Sequence, residues 1–155
     1  MVWRAGYQTK AIESGQLPLL IGVTVDGDPA ELTGSGVLLG GFDFHVQAEQ
    51  GIWRRLIEDA FPQTVPIRAA FIRPGWTHLE RQKLQMLIPR SLHAQVFCLD
   101  DPEGEWAARF PADRVERGFA VVFSEGEACF GMIGPPTEEA WDAFREAILE
   151  YVSTA

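Results

Sequence analysis

The hydrophobic positions of the chain fall into two rhythms that alternate along its length. Val37 to Phe42, Ile67 to Arg73 and Ala94 to Leu99 are short, nearly continuous apolar runs, the pattern of strands covered on both faces. Gly40 and Gly41 interrupt the first run and imply a bulge or a close backbone approach. Between the runs the spacing becomes helical. Ile52, Trp53, Leu56, Ile57 and Ala60 predict a helix over 46–60 that ends before Pro62, and Leu84, Leu87 and Ile88 predict one over 77–88. Thr77 and Glu80 have the spacing of a capping box at the start of the second helix. Asp101-Pro102 reads as the N-cap and first position of a short helix running to Phe110. Phe119 to Phe123 and Ala128 to Ile133 flank Ser124-Glu125-Gly126-Glu127, a hairpin signal. A last helix, capped by Thr137 and led by Glu138 and Glu139, carries the stripe Trp141, Phe144, Ile148 and Val152.

The N-terminal region reads less regularly. Residues 3–14 are expected to form a short helix closed by Gly15. Leu17 to Val25 is expected to be a strand, Asp26 to Pro29 a turn, and Ala30 to Thr33 a return strand. Alternating strands and helices followed by a hairpin and a helix define an α/β fold, with a mixed sheet and helices on both faces. Length suits one domain, with residues 1–17 as an extension and 18–155 as the domain.

Composition and charge narrow the function. Hydrophobic residues make up 46% and charged residues 23%, which excludes a disordered chain. No apolar run approaches the ~20 residues of a membrane span. Met1 to Gly6 lacks the apolar core of an export signal, so a cytoplasmic location is expected. A net charge of −9 argues against nucleic acid and anionic membranes as partners. The charge is uneven, −4 over residues 1–50, +3 over 51–100 and −8 beyond. The basic middle, with Arg54, Arg55, Arg68 and Arg73 among its cations, reads either as solvated faces or as a modest anion-binding surface. Cys98 and Cys129 form no CxxC pair, and His45, His78 and His93 are scattered, so neither a metal site nor a cofactor is expected. Gly34-Ser35-Gly36 precedes a strand instead of opening a helix, which is not a phosphate cradle.

Short segments add a family resemblance. Val25-Asp26-Gly27-Asp28-Pro29-Ala30-Glu31-Leu32, Asp101-Pro102-Glu103-Gly104-Glu105-Trp106-Ala107 and Gly134-Pro135-Pro136-Thr137-Glu138-Glu139, in this order of elements, resemble the thioredoxin fold in its redoxin or peroxiredoxin-like (AhpC/TSA-type) form. The resemblance covers roughly residues 18–152 and implies the strand order 94–99, 67–73, 37–42, 119–123, 128–133, with an N-terminal hairpin extension. It also implies a reactive cysteine at a helix N-terminus, where the dipole and free N–H groups stabilise a thiolate. Five residues beyond Phe42 those positions hold Gln47 and Gln50, whose amides cannot serve as nucleophiles. The cis-proline that the family places just before the next strand is missing from Glu116-Arg117-Gly118-Phe119. Arg117 then corresponds to the arginine that peroxiredoxins hold near peroxide, or is a surface or ion-paired arginine.

The resemblance without its sulfur points to a redox-inactive domain that binds a protein, peptide or small ligand where the active site would be. Asp43, His45, Trp76, Arg117 and Phe119 are the expected surface. Asp43 and His45 alternate onto one face, and Trp76 follows Pro74-Gly75 at a loop tip. Trp3 and Tyr7 either pack on the domain or form a homodimer contact. The rival reading is a one-cysteine thiol peroxidase or thiol–disulfide oxidoreductase using Cys98 or Cys129, and a third is a structural subunit. Four strand spacings, roughly 19 Å, separate the two cysteines in the implied sheet, beyond the ~7 Å reach of a disulfide.

Overall fold

The computed structural model describes residues 9–62, 64–112 and 117–152; Trp3, Tyr7 and Glu116 lie outside them. Its described strands are β1 (Lys10–Ile12), β2 (Gly15–Gln16), β3 (Gly22–Thr24), β4 (Ser35–Gly41), β5 (Ile67–Arg73), β6 (Val96–Asp100), β7 (Gly118–Ser124) and β8 (Glu127–Ile133). The helices are α1 (Gln47–Ala60), α2 (His78–Leu87), α3 (Glu105–Arg109) and α4 (Glu138–Tyr151). The strands form one sheet in the order β1-β8-β7-β4-β5-β6-β3, with β2 also on β8. Its inner five strands have the expected order. β4, β5 and β6 run parallel, and β7 and β8 are antiparallel additions.

Both faces of the central strands are covered, which is why they read as unbroken apolar runs. On β4, Leu38 faces a cluster with Ile72, Phe97, Trp106, Phe110 and Phe119, while Val37 and Leu39 face Trp53 and Ile57 of α1 and Phe144 and Ile148 of α4. A third cluster joins Leu84 of α2 to Phe71, Val96 and Cys98. The β7–β8 turn places Glu125 at φ 52° and Gly126 at φ 81°, the two left-handed positions of a type I′ hairpin.

The N-terminal region departs from expectation. Lys10–Ile12, expected to be helical, is a strand paired with Gly131–Ile133, because the open edge of β8 offers backbone partners that a short solvated helix would not have. The expected hairpin is reduced to a single bridge, Val23 to Pro29, around a turn; Val23 pairs instead with Cys98, so β3 covers the β6 edge. Asp101 caps α3 from outside the helix. Gly104 is the N-cap residue, and the Asp101 carboxylate accepts from the Trp106 and Ala107 N–H groups at 3.0 and 3.1 Å.

His93 ties the two ends of this outer layer together. Its Nε2 lies 2.9 Å from the Ile88 carbonyl and its Nδ1 3.1 Å from Asp26 Oδ1. A carbonyl and a carboxylate both accept, so the arrangement favours the doubly protonated ring. The Ile88 carbonyl first, and then Asp26, raise the His93 pKa against the opposing effect of burial. A raised folded-state pKa stabilises the fold in full below the unfolded value of about 6.5 and ceases to do so as pH rises through the raised value. Urea midpoints should therefore fall across that window in the wild type, and the His93→Gln variant should lose that part of the pH dependence.

Candidate functional site

The site grows from the point where β4 hands over to α1. A 3₁₀ turn, Phe44–Val46, links them, and Asp43 opens it by accepting from the His45 N–H at 3.0 Å. The His45 ring also contacts Asp43, so the expected pair exists, with His45 largely exposed. The His45 N–H, then the His45 ring and Arg73, hold the Asp43 carboxyl below its usual value against a smaller opposing effect of burial. Gln47 is the first residue of α1 and is exposed, whereas Gln50 is buried and its Nε2 donates to the Leu39 and Ala70 carbonyls at 3.3 and 3.4 Å. Val46 caps α1 with no side-chain hydrogen bond, and the Gln47 N–H donates instead to the Phe44 carbonyl of the preceding 3₁₀ turn.

Beneath the tip lies a contact that sequence reasoning missed. Glu49 is 9% exposed, and its Oε2 accepts from the Gly118 N–H on β7. Gly118 directly precedes Phe119, where the family resemblance leads one to expect a proline. A proline there would have no N–H to give, so this hydrogen bond requires another residue at 118. Any side chain at 118 would also collide with the backbone, since a Cβ there would sit 2.5 Å from the Gly40 carbonyl oxygen. One signal for Glu49 was present in the sequence. Glu49, Trp53 and Ile57 stand four apart, so the apolar stripe of α1 runs at its N-terminus into a carboxylate. Replacing Glu49 with alanine would leave the buried Gly118 N–H without this acceptor, and chemical denaturation should show a loss of about 1–3 kcal/mol.

Two of the expected surface residues are buried, and a third is partly covered. Arg117, which directly precedes β7, is 3% exposed. Phe119 is 2% exposed because it stacks on Phe110 and Trp106. Trp76 is half-buried, held by its indole N–H on the Leu99 carbonyl at 3.0 Å and packed against Phe44. Arg73 lies over both of these rings and pairs with Glu80, whose carboxyl also completes the expected capping box with Thr77. The exposed part of the site is thus the rim of Asp43, His45 and Gln47.

The thiols are elsewhere. Cys98 is buried in the middle of β6, and burial first, with Asp100 adding to it against Arg81, pushes its pKa up to about 12. Cys129 on β8 is half-buried; burial and the charges of Glu127 and Glu150 raise its pKa, despite a hydrogen bond from the Ser124 backbone. Both are free. Among the described residues, no group of three or more His, Cys, Asp or Glu side chains could hold a metal ion.

No family model matches the chain, and no curated protein matches it in sequence. Solved structures do match in shape. A candidate thiol:disulfide interchange protein DsbE from Chlorobium tepidum superposes with a TM-score of 0.57 at 12% identity, over 92% of this chain and 99% of that one. The fold is thioredoxin-like. A thio-disulfide isomerase from Thermus thermophilus gives 0.53 at 18% identity, over 88% and 97%, and an uncharacterized conserved protein from Geobacillus kaustophilus gives 0.51 at 19%, over 94% and 89%. These neighbours share the thioredoxin-like architecture with this chain nearly end to end, at identities that speak for the fold and not for the activity.

Proposed function

We propose that this thioredoxin-like protein performs no thiol–disulfide chemistry at its helix tip and uses that surface for binding. The observation that carries the reading is the Glu49–Gly118 hydrogen bond, a carboxylate and a backbone amide in the region where the fold's chemistry would need a thiolate. The rim of Asp43, His45 and Gln47, at the positive end of the α1 dipole, suits an acceptor-bearing partner such as an extended peptide. Panning a displayed peptide library on the wild type and on Gln47→Trp tests this. Peptides lost from the variant support the rim as the site, and peptides that bind both equally remove it.

The names of the solved neighbours favour a second reading, thiol–disulfide oxidoreduction through Cys98 or Cys129. Against it stand the raised pKa values of both thiols and their strand positions. Insulin reduction and peroxide consumption with a thiol donor decide between the readings. The binding reading expects rates at background for the wild type; turnover that disappears in the Cys98→Ser/Cys129→Ser variant would replace it with the enzymatic one.

A further inference from the structure

At the end of the sheet opposite the α1 tip, a cleft of about 370 Å³ opens between the second half of α1, the loop leading to β5 and the start of β5 itself. That volume lies in the range of small-molecule pockets, near its lower end. Two guanidinium groups line it, from Arg54 on α1 and Arg68 on β5, and its apolar walls include Phe61, Val65 and Ile67. Only one of the cations has a carboxylate. Arg54 meets Glu58 at 3.5 Å, one turn along the helix, whereas Arg68 donates to the Ile67 carbonyl at 3.2 Å and pairs with no carboxylate among the described residues. Arg68 is half-buried, and both its burial and the nearby charge of Arg54 bear against its ionised form. Two like charges thus share a partly apolar cleft with a single counter-charge, which leaves one unit of positive charge uncompensated in a chain whose net charge is −9.

The geometry points to a binding site for a small organic monocarboxylate with an aromatic or branched apolar body, its carboxylate received by Arg68 beside Arg54 and its body packed on Phe61, Val65 and Ile67. A monoanion restores neutrality where a dianion would overshoot. The planar guanidinium fork matches a carboxylate in two parallel hydrogen bonds. The apolar walls would add nothing to an inorganic anion, and a polyanionic nucleic acid is disfavoured by the chain's net charge. The site also gives the basic middle of the sequence a role that solvated faces alone would not. It lies apart from the helix-tip rim, so it stands or falls independently of the function proposed for that rim.

Isothermal titration calorimetry on the full chain, near neutral pH and at low salt, tests it with phenylacetate as the probe. One saturable site per chain is expected. 2-Phenylethanol, which keeps the body and removes the charge, and inorganic phosphate, which keeps charge and removes the body, should each bind roughly tenfold more weakly or worse. Arg68→Gln should lose affinity by roughly tenfold while its melting temperature holds or rises, because a like-charge contact has been relieved. Arg68→Lys should keep part of the affinity, and Arg54→Gln provides the same test on the other wall. The assignment is overturned if phenylacetate gives no saturable heat at about 10 mM. It is equally overturned if phosphate matches phenylacetate, or if folded Arg68→Gln and Arg54→Gln proteins bind as well as the wild type.

Discussion

Replacing Phe119 with alanine is expected to cost about 3–5 kcal/mol of folding stability, the largest single loss that the core offers near the site. The ring is 2% exposed and stacks on Phe110 with centroids 4.0 Å apart and planes 9° from parallel, while Trp106 and Phe42 approach it at 6.1 and 6.2 Å. Its far end lies against bare backbone. A Cβ at Gly40 would come within 2.2 Å of the ring, so the glycine is what allows the phenyl group to reach across β4. Gly40→Ala should therefore destabilise by about 1–3 kcal/mol through overpacking. The double variant should cost less than the sum of the two, because the new methyl group enters space that the ring has vacated. Urea unfolding followed by far-ultraviolet circular dichroism measures all three. A Phe119→Ala loss below about 1 kcal/mol, or strict additivity with Gly40→Ala, would show that the stack does not hold β7 against β4.

That contact also shows what was legible in the sequence. Gly40-Gly41 within an apolar run signalled a close approach, and the structure supplies its partners, Phe119 over Gly40 and Val46 over Gly41. The α4 stripe, the capping box at Thr77 and the Glu125-Gly126 turn were legible because each is decided by residues a few positions apart. Most of the departures depend on partners outside the local pattern. Lys10–Ile12 became a strand because β8 had an open edge, and Asp101 reached past three residues to cap α3. Arg117 and Trp76 carry polar groups that usually mark a surface, yet Arg117 is buried and Trp76 half-buried against Phe44. Glu49 was the costliest omission. A carboxylate in a first helical turn is ordinary on a solvated face, and only the stripe through Trp53 and Ile57 tells that this one points inward.

The largest kinetic effect expected of this protein is the contrast between its native thiols and a thiol introduced at the helix tip. With its pKa pushed from 9.0 up to about 12, Cys98 holds roughly a thousandfold less thiolate at neutral pH than an unperturbed thiol, before its burial further limits access. Iodoacetamide should label Cys98 only as fast as the protein unfolds, and Cys129, half-buried and flanked by Glu127, more slowly than a free thiol. Gln47→Cys puts sulfur at the exposed first position of a fourteen-residue helix, where the helix dipole stabilises the anion. That variant should gain a fast labelling phase with an apparent pKa below about 8.5, and mass spectrometry after a short pulse should place the label on residue 47. Rapid labelling of Cys98 in the folded wild type would mean that β6 opens readily and that a nucleophile is on hand after all. A slow Gln47→Cys thiol would mean that the α1 tip has lost the electrostatic character on which its proposed binding of acceptor groups depends.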